Sequence, residues 1–115
     1  MTGETYSLPM VALRGLTILP EEVRHFDVSR EKSLQAIEEA VKNGQKLFVS
    51  AQKDLEIEEP GAEDVYLVGC VVTIRQVVKL PKNSRVLVSG EVRASLVRMD
   101  SETPYLQATG SRTAG

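Results

Sequence analysis

The sequence predicts a mainly β fold with one α-helix: a bent six-stranded antiparallel sheet, closed or nearly closed like a barrel, with the helix laid over it. Three observations carry this. A Val-rich stretch, Tyr66 to Leu96, is broken only by Pro-Lys-Asn-Ser at Pro81–Ser84 and reads as a long hairpin. Four further short apolar runs are bounded by Gly, Pro, Asn or charge clusters, as strands are. Only the segment after Ser29 shows helical spacing.

In chain order, Met1–Tyr6 is polar and predicted to fray. Leu8–Leu13 (LPMVAL) is a first strand, with Pro9 at its start or on an edge because it cannot donate to a ladder. Arg14-Gly15 ends it, and Leu16–Pro20 (LTILP) follows as a short apolar connection. Val23–Val28 alternates, which turns Phe26 and Val28 inward. Ser29 is the expected helix N-cap. Leu34, Ile37 and Val41, with Ala36 and Ala40, form the apolar stripe, and Asn43-Gly44 ends the helix. Lys46–Gln52 is a strand, and Lys53–Asp64 is a loop with six acids and a Pro60-Gly61 turn. The hairpin arms run near Leu67–Lys79 and Arg85–Arg98, each about 40 Å long at roughly 3.3 Å per residue. Strands of that length bend, and Gly69 and Gly90 are the candidate bend points. Thr103–Thr109 is the last strand. The whole reads as one domain over residues 1–110, with 111–115 a disordered tail of a truncated fragment.

Composition narrows the function. With 42% hydrophobic residues, 4% aromatics and no Trp, the core must be aliphatic. A net charge of −2 gives no bulk attraction to nucleic acid or anionic membrane. No apolar run reaches the roughly 20 residues of a membrane span, and the amino terminus lacks a signal-peptide pattern. Cys70 is the one cysteine; it sits among valines and reads as a buried, inert thiol. The absence of disulfides fits a reducing cytoplasm.

Catalytic chemistry is nearly absent. His25 is the single histidine, so zinc has too few ligands, and nothing brings Cys70 to it as a nucleophile–base pair. There is no phosphate-binding loop and no dinucleotide fingerprint. The acidic loop lacks calcium-loop spacing. The hairpin tip collects Arg75, Lys79, Lys82 and Arg85, which read as protection of exposed strand ends, or else as a phosphate-binding finger. Leu16, Ile18 and Leu19 read as core, or else as an exposed patch that contacts polypeptide.

An ordered set of segments resembles the amino-terminal domain of the Lon family of ATP-dependent proteases, from about Leu8 to Leu96. Pro9, Leu13-Arg14-Gly15 and Pro20 look like the family's opening segment, and Val28-Ser29-Arg30-Glu31-Lys32-Ser33 like its Val-Gly-Arg-x-Lys-Ser. Ala51-Gln52-Lys53, Glu59-Pro60-Gly61, Val68-Gly69, Leu80-Pro81, Val86-Leu87-Val88-x-Gly90 and Arg93-Ala94 follow in order. Ala12, Leu19, Ser29, Ser89 and Glu91 depart from the commoner family residues; this bears on particular surfaces rather than on the fold.

The resemblance implies a PUA-like sheet with one helix and a non-catalytic role in recognising unfolded or misfolded polypeptide and supporting ring assembly. Its implied partners are those substrates, other domains of the same protease, and copies of itself in the parent ring. No cofactor is expected in this stretch. ATP with magnesium, and Ser-Lys peptide cleavage, would belong to the parent protein in the cytoplasm. The alternative is a stand-alone PUA-like module that binds nucleic acid; a hydrolase built on Cys70 ranks below both.

Overall fold

The computed structural model describes residues 5–58 and 60–113. Its elements are β1 (Thr5–Leu13), β2 (Val23–Val28), α1 (Glu31–Lys42), β3 (Lys46–Ala51), a 3₁₀ turn at Ala62–Asp64, β4 (Val68–Lys79), β5 (Ser84–Ser101) and β6 (Leu106–Arg112). The strands lie in the order β2-β5-β4-β3-β1-β6, and β6 returns to pair with β5. Five strands thus form a ring of hydrogen bonds, and β2 extends the sheet beyond it.

The long hairpin makes this possible. β5 spans 18 residues and has two neighbours in succession on one side. Ser84–Ser89 pair with β2, and Ala94–Ser101 pair with β6. The exchange occurs around Gly90, where a register shift sets Val71 and Val72 of β4 opposite Val92 and Gly90. A bulge of this kind increases local twist and bends the strand. The two glycines serve a further purpose. A Cβ on Gly69 would collide with the Val49 carbonyl oxygen, and one on Gly90 with that of Leu19. Both mark close backbone approaches.

The sheet is mostly antiparallel, as the sequence predicts, with one parallel pair that makes it mixed. β1 and β3 run parallel, from Met10 opposite Phe48 to Leu13 opposite Ala51. The chain reaches β3 by crossing over through α1, which brings it back in the same direction. Boundaries also move. Thr5 and Tyr6 join β1 opposite Ser111 and Gly110, where fraying was expected. Ser111 and Arg112, read as tail, are the last residues of β6. Met1–Glu4, Glu59 and the final two residues of the expected tail lie outside the described residues.

Two cores result. One lies inside the ring and contains Met10, Ala12, Phe48, Val65, Val71, Ala94, Leu106 and Ala108. The other lies on the outer face of β1, β3 and β4, under α1 and β2, and includes Val11, Leu13, Leu47, Val49, Cys70, Val72 and Ile74. Phe26 and Val28 point into this second core, as their alternation predicts, together with Ala36, Ile37 and Ala40 of the helix. Val41 departs from the predicted stripe and is exposed.

The helix begins one residue later than expected. Arg30 is its N-cap and makes no side-chain cap bond, so Ser29 does not serve. Arg30 instead donates from Nη2 to Gln52 Oε1 at 2.6 Å. Gln52, itself buried, donates from Nε2 to the carbonyls of Asp54 and Ile57. Two residues of the ordered motifs thereby fasten the helix start, the end of β3 and the acidic loop. Asn43-Gly44 ends the helix as predicted, Gly44 taking a φ of +93° and Gln45 donating its N–H to Ala40 O.

Candidate functional site

The segment after β1 departs from regular structure for identifiable reasons. Gly15 turns the chain at a φ of +68°. Pro20 lacks an N–H, and Glu21 carries a φ of 70°. What remains is fixed by backbone pairing to the hairpin. Glu21 N–H donates to Gly90 O at 2.9 Å, and Gly90 N–H donates to Glu22 O at 2.7 Å. The Glu22 carboxylate accepts the Leu19 N–H at 2.9 Å. The segment is therefore a strap docked across the bend of β5.

The three apolar residues of the strap occupy three environments. Ile18 is 4% exposed and belongs to the outer core. Leu16 is half-buried and packs against that core. Leu19 is 43% exposed. Leu16 and Leu19 edge a cleft of about 210 Å³ whose opposite side is Tyr66, Val68, Gly69 and Arg93. Tyr66 is 53% exposed, and Leu67 and Val68 beside it are similarly open. This opposite side is also held by the backbone: Tyr66 N–H donates to Ala51 O, Ser50 Oγ donates to Tyr66 O at 2.6 Å, and Leu96 N–H donates to Leu67 O.

The sequence reading missed Tyr66, Leu67 and Val68. Strand alternation places Val68 on the same face as the buried Cys70, yet Val68 is half-exposed. A signal was present: the apolar run begins at Val65, directly after the acidic loop, three residues before β4 needs it.

The residues with reactive chemistry are not assembled. Cys70 is 1% exposed, its Sγ directed at Val71 O, and burial pushes its thiol above the usual range. His25 is exposed on β2. Among the described residues, no three His, Cys, Asp or Glu side chains are placed to hold a metal ion, and no helix is long and apolar enough to cross a membrane. In the acidic loop, Asp54 accepts the Glu56 N–H and Asp64 the Gly61 N–H, so these carboxylates fold the loop itself.

At the hairpin, two of the four cations have work within the sheet. Arg85 donates from Nε and Nη2 to the two oxygens of Asp27 on β2, at 3.0 and 3.4 Å. The Arg85 guanidinium holds the Asp27 carboxyl below the usual carboxylate range. Arg75 Nε donates to Ser89 Oγ. These bonds favour the strand-end reading of the basic cluster over a phosphate-binding finger.

Comparison with known proteins agrees with the geometry. The family of ATP-dependent protease La (LON) substrate-binding domains matches residues 7–113. The Lon protease of Lachnoclostridium phytofermentans is 46% identical over 109 residues, and that of Clostridium acetobutylicum 42% over 109; each comparison covers 94% of this chain and 14% of the relative. Lon protease 1 of Bacillus subtilis is 41% identical over 100 residues, covering 86% of this chain and 13% of the relative. The chain thus spans about one seventh of the length of the curated relatives it matches. In structure it resembles the amino-terminal domain of a Mycobacterium avium complex Lon protease, with a TM-score of 0.68 at 19% identity, over 96% of this chain and 55% of that one. The Lon amino-terminal domain protein of Xanthomonas campestris follows at 0.67 and 17%, over 94% and 59%. The match spans nearly the whole described fold, and on that ground the chain belongs to the Lon substrate-binding domain family.

Proposed function

We propose that this chain is a non-catalytic polypeptide-recognition domain of a longer ATP-dependent Lon-type serine protease, and that unfolded or misfolded segments bind at the cleft between the strap and Tyr66–Val68. The observation that carries the reading is that three residues lining one cleft, Leu19, Tyr66 and Val68, are open apolar side chains on backbone fixed from both sides. Exposed apolar patches of this kind mark binding sites on soluble domains, and a rigid scaffold lowers the cost of ordering the partner. ATP with magnesium, peptide-bond hydrolysis and assembly into a ring belong, on this reading, to the longer protein. Affinity for one segment is micromolar or weaker, since a disordered partner loses chain entropy on binding. Several copies in one assembly raise it by avidity.

The test is a Leu19→Ser, Tyr66→Ser double variant assayed for capture of a reduced, permanently unfolded model protein. Both side chains are open, so melting changes by only a few degrees while capture falls at least several-fold. Capture in the unsubstituted domain persists at high salt, as apolar association does; a steep loss with salt would instead support nucleic-acid-like electrostatics. Undiminished capture by a folded double variant overturns the reading.

A further inference from the structure

Away from the strap, the far half of β4 has one neighbour instead of two. β5 pairs with it to Lys79 opposite Ser84, but β3 ends its pairing at Lys46 opposite Thr73, and Ile74 N–H closes on Gln45 O. Beyond that point one edge of β4 is open among the described residues. The hairpin geometry says which groups it presents. Leu80 N–H donates to Asn83 O, so Leu80 and Asn83 are a hydrogen-bonded pair at the turn. Antiparallel pairs alternate. Val78 and Arg85 are therefore bonded to each other, whereas Val77 and Lys79 turn their N–H and C=O groups outward.

That edge does not face open solvent alone. It borders a groove of about 580 Å³ whose opposite wall is the carboxyl-terminal half of α1. Ile37, Val41, Ile74 and Val77 make its apolar surface. A second depression of about 320 Å³ continues it under the hairpin tip, sharing Ile37, Val77 and Lys79. Four cations line the two, Lys42, Arg75, Lys79 and Lys82, against one carboxylate, Glu38. A sheet edge with outward backbone groups, an apolar wall and a positive rim has the elements of strand addition.

We propose that this groove binds an extended polypeptide segment as an additional strand on β4, with alternate apolar side chains turned to α1 and acidic side chains meeting the basic rim. The inference deepens the polypeptide-binding reading by naming a second surface and the chemistry of what it takes. It does not depend on the strap cleft.

The probe is a fluorescein-labelled nonapeptide alternating valine and glutamate, titrated into the 115-residue chain and read by anisotropy. Two comparison peptides carry lysine in place of glutamate, or N-methyl groups on alternate residues that abolish backbone pairing. Binding is expected for the first peptide and at least tenfold weaker for both others. Lys79→Pro removes an outward N–H while leaving the β5 pairs intact, and is expected to weaken binding at least tenfold; Lys79→Gln is expected to retain it within about threefold. If Lys79→Pro proves unstable, hydrogen exchange in the unsubstituted chain decides, because the peptide must slow the amides of Val77 and Lys79. Leu19→Ser is expected to leave this peptide's affinity unchanged, which separates failure here from failure of the cleft. Equal binding of the N-methylated or lysine peptide, or unprotected amides at saturation, overturns the proposal. So does protection of those amides by self-association without peptide, which assigns the edge to a second copy.

Discussion

Replacing Gly90 with alanine tests how the strap is held. A Cβ at this position would lie closer to the Leu19 carbonyl oxygen than real Cβ atoms approach backbone, and 3.0 Å and 3.2 Å from Leu19 C and Pro20 Cα. All three atoms belong to the strap backbone, so no rotamer change relieves the clash. The strap must lift from β5. Lifting breaks the two bonds between Gly90 and Glu21–Glu22, each contributing about 0.5–1.5 kcal/mol. It also loosens Ile18 from the outer core, where partial loss of a buried aliphatic side chain adds about 1 kcal/mol. The sum is about 2–4 kcal/mol, which for a chain near 100 residues lowers Tm by roughly 10–20 °C. Urea and thermal melts measure it directly. Gly61→Ala is the control: its Cβ would meet only the carboxylate ends of Glu102 and Asp64, at 3.3 Å and beyond, and these can swing away. The expected cost there is below about 1 kcal/mol. Gly90→Ala melting within about 2 °C of the parent would show that the strap is not docked through this contact.

Ile37→Asp places a carboxylate in the outer core at a 3% exposed position; several kcal/mol of destabilisation are expected, and circular dichroism should show an unfolded or molten chain. Cys70 should react with thiol reagents only as fast as the domain opens, because its thiol is buried and held protonated; rapid native-state labelling would contradict that placement. Asp27 and Asp100 both have carboxyl groups lowered from the ordinary 3.8, by Arg85 and by Thr109 with Arg98 respectively. A lowered folded-state value gives stability that is present above the unfolded value and lost as pH falls through the folded one. Melting should accordingly drop on acidification below about pH 4, and Asp27→Asn should flatten part of that dependence.

Much of this fold is legible in the chain because local chemistry and tertiary demand coincide. The Val-rich arms, the break at Pro81–Ser84 and the Asn43-Gly44 stop each specify one conformation, and each appears where expected. The parallel β1–β3 pair was harder to see. Its trace is that MVAL and LFVS are apolar without alternation, since each strand is covered by the ring core on one side and by α1 on the other. Direction, however, follows from the crossover and not from either strand. The candidate site divides the same way. Leu16, Ile18 and Leu19 stand out because an apolar segment between Gly15 and Pro20 cannot form a regular strand. Its other wall, Tyr66–Val68, comes from about 50 residues along the chain and looks like the beginning of β4. Only the closed sheet brings the two together.

The most direct measurement is backbone amide NMR of the isotopically labelled chain titrated with a reduced, permanently unfolded protein. The account predicts that shifts concentrate at residues 16–20, at 66–69 and at Arg93, with the Ile18 amide perturbed through its neighbours rather than by contact. Shifts confined to other surfaces, with these amides unmoved at saturation, would contradict the cleft as the place where polypeptide is recognised.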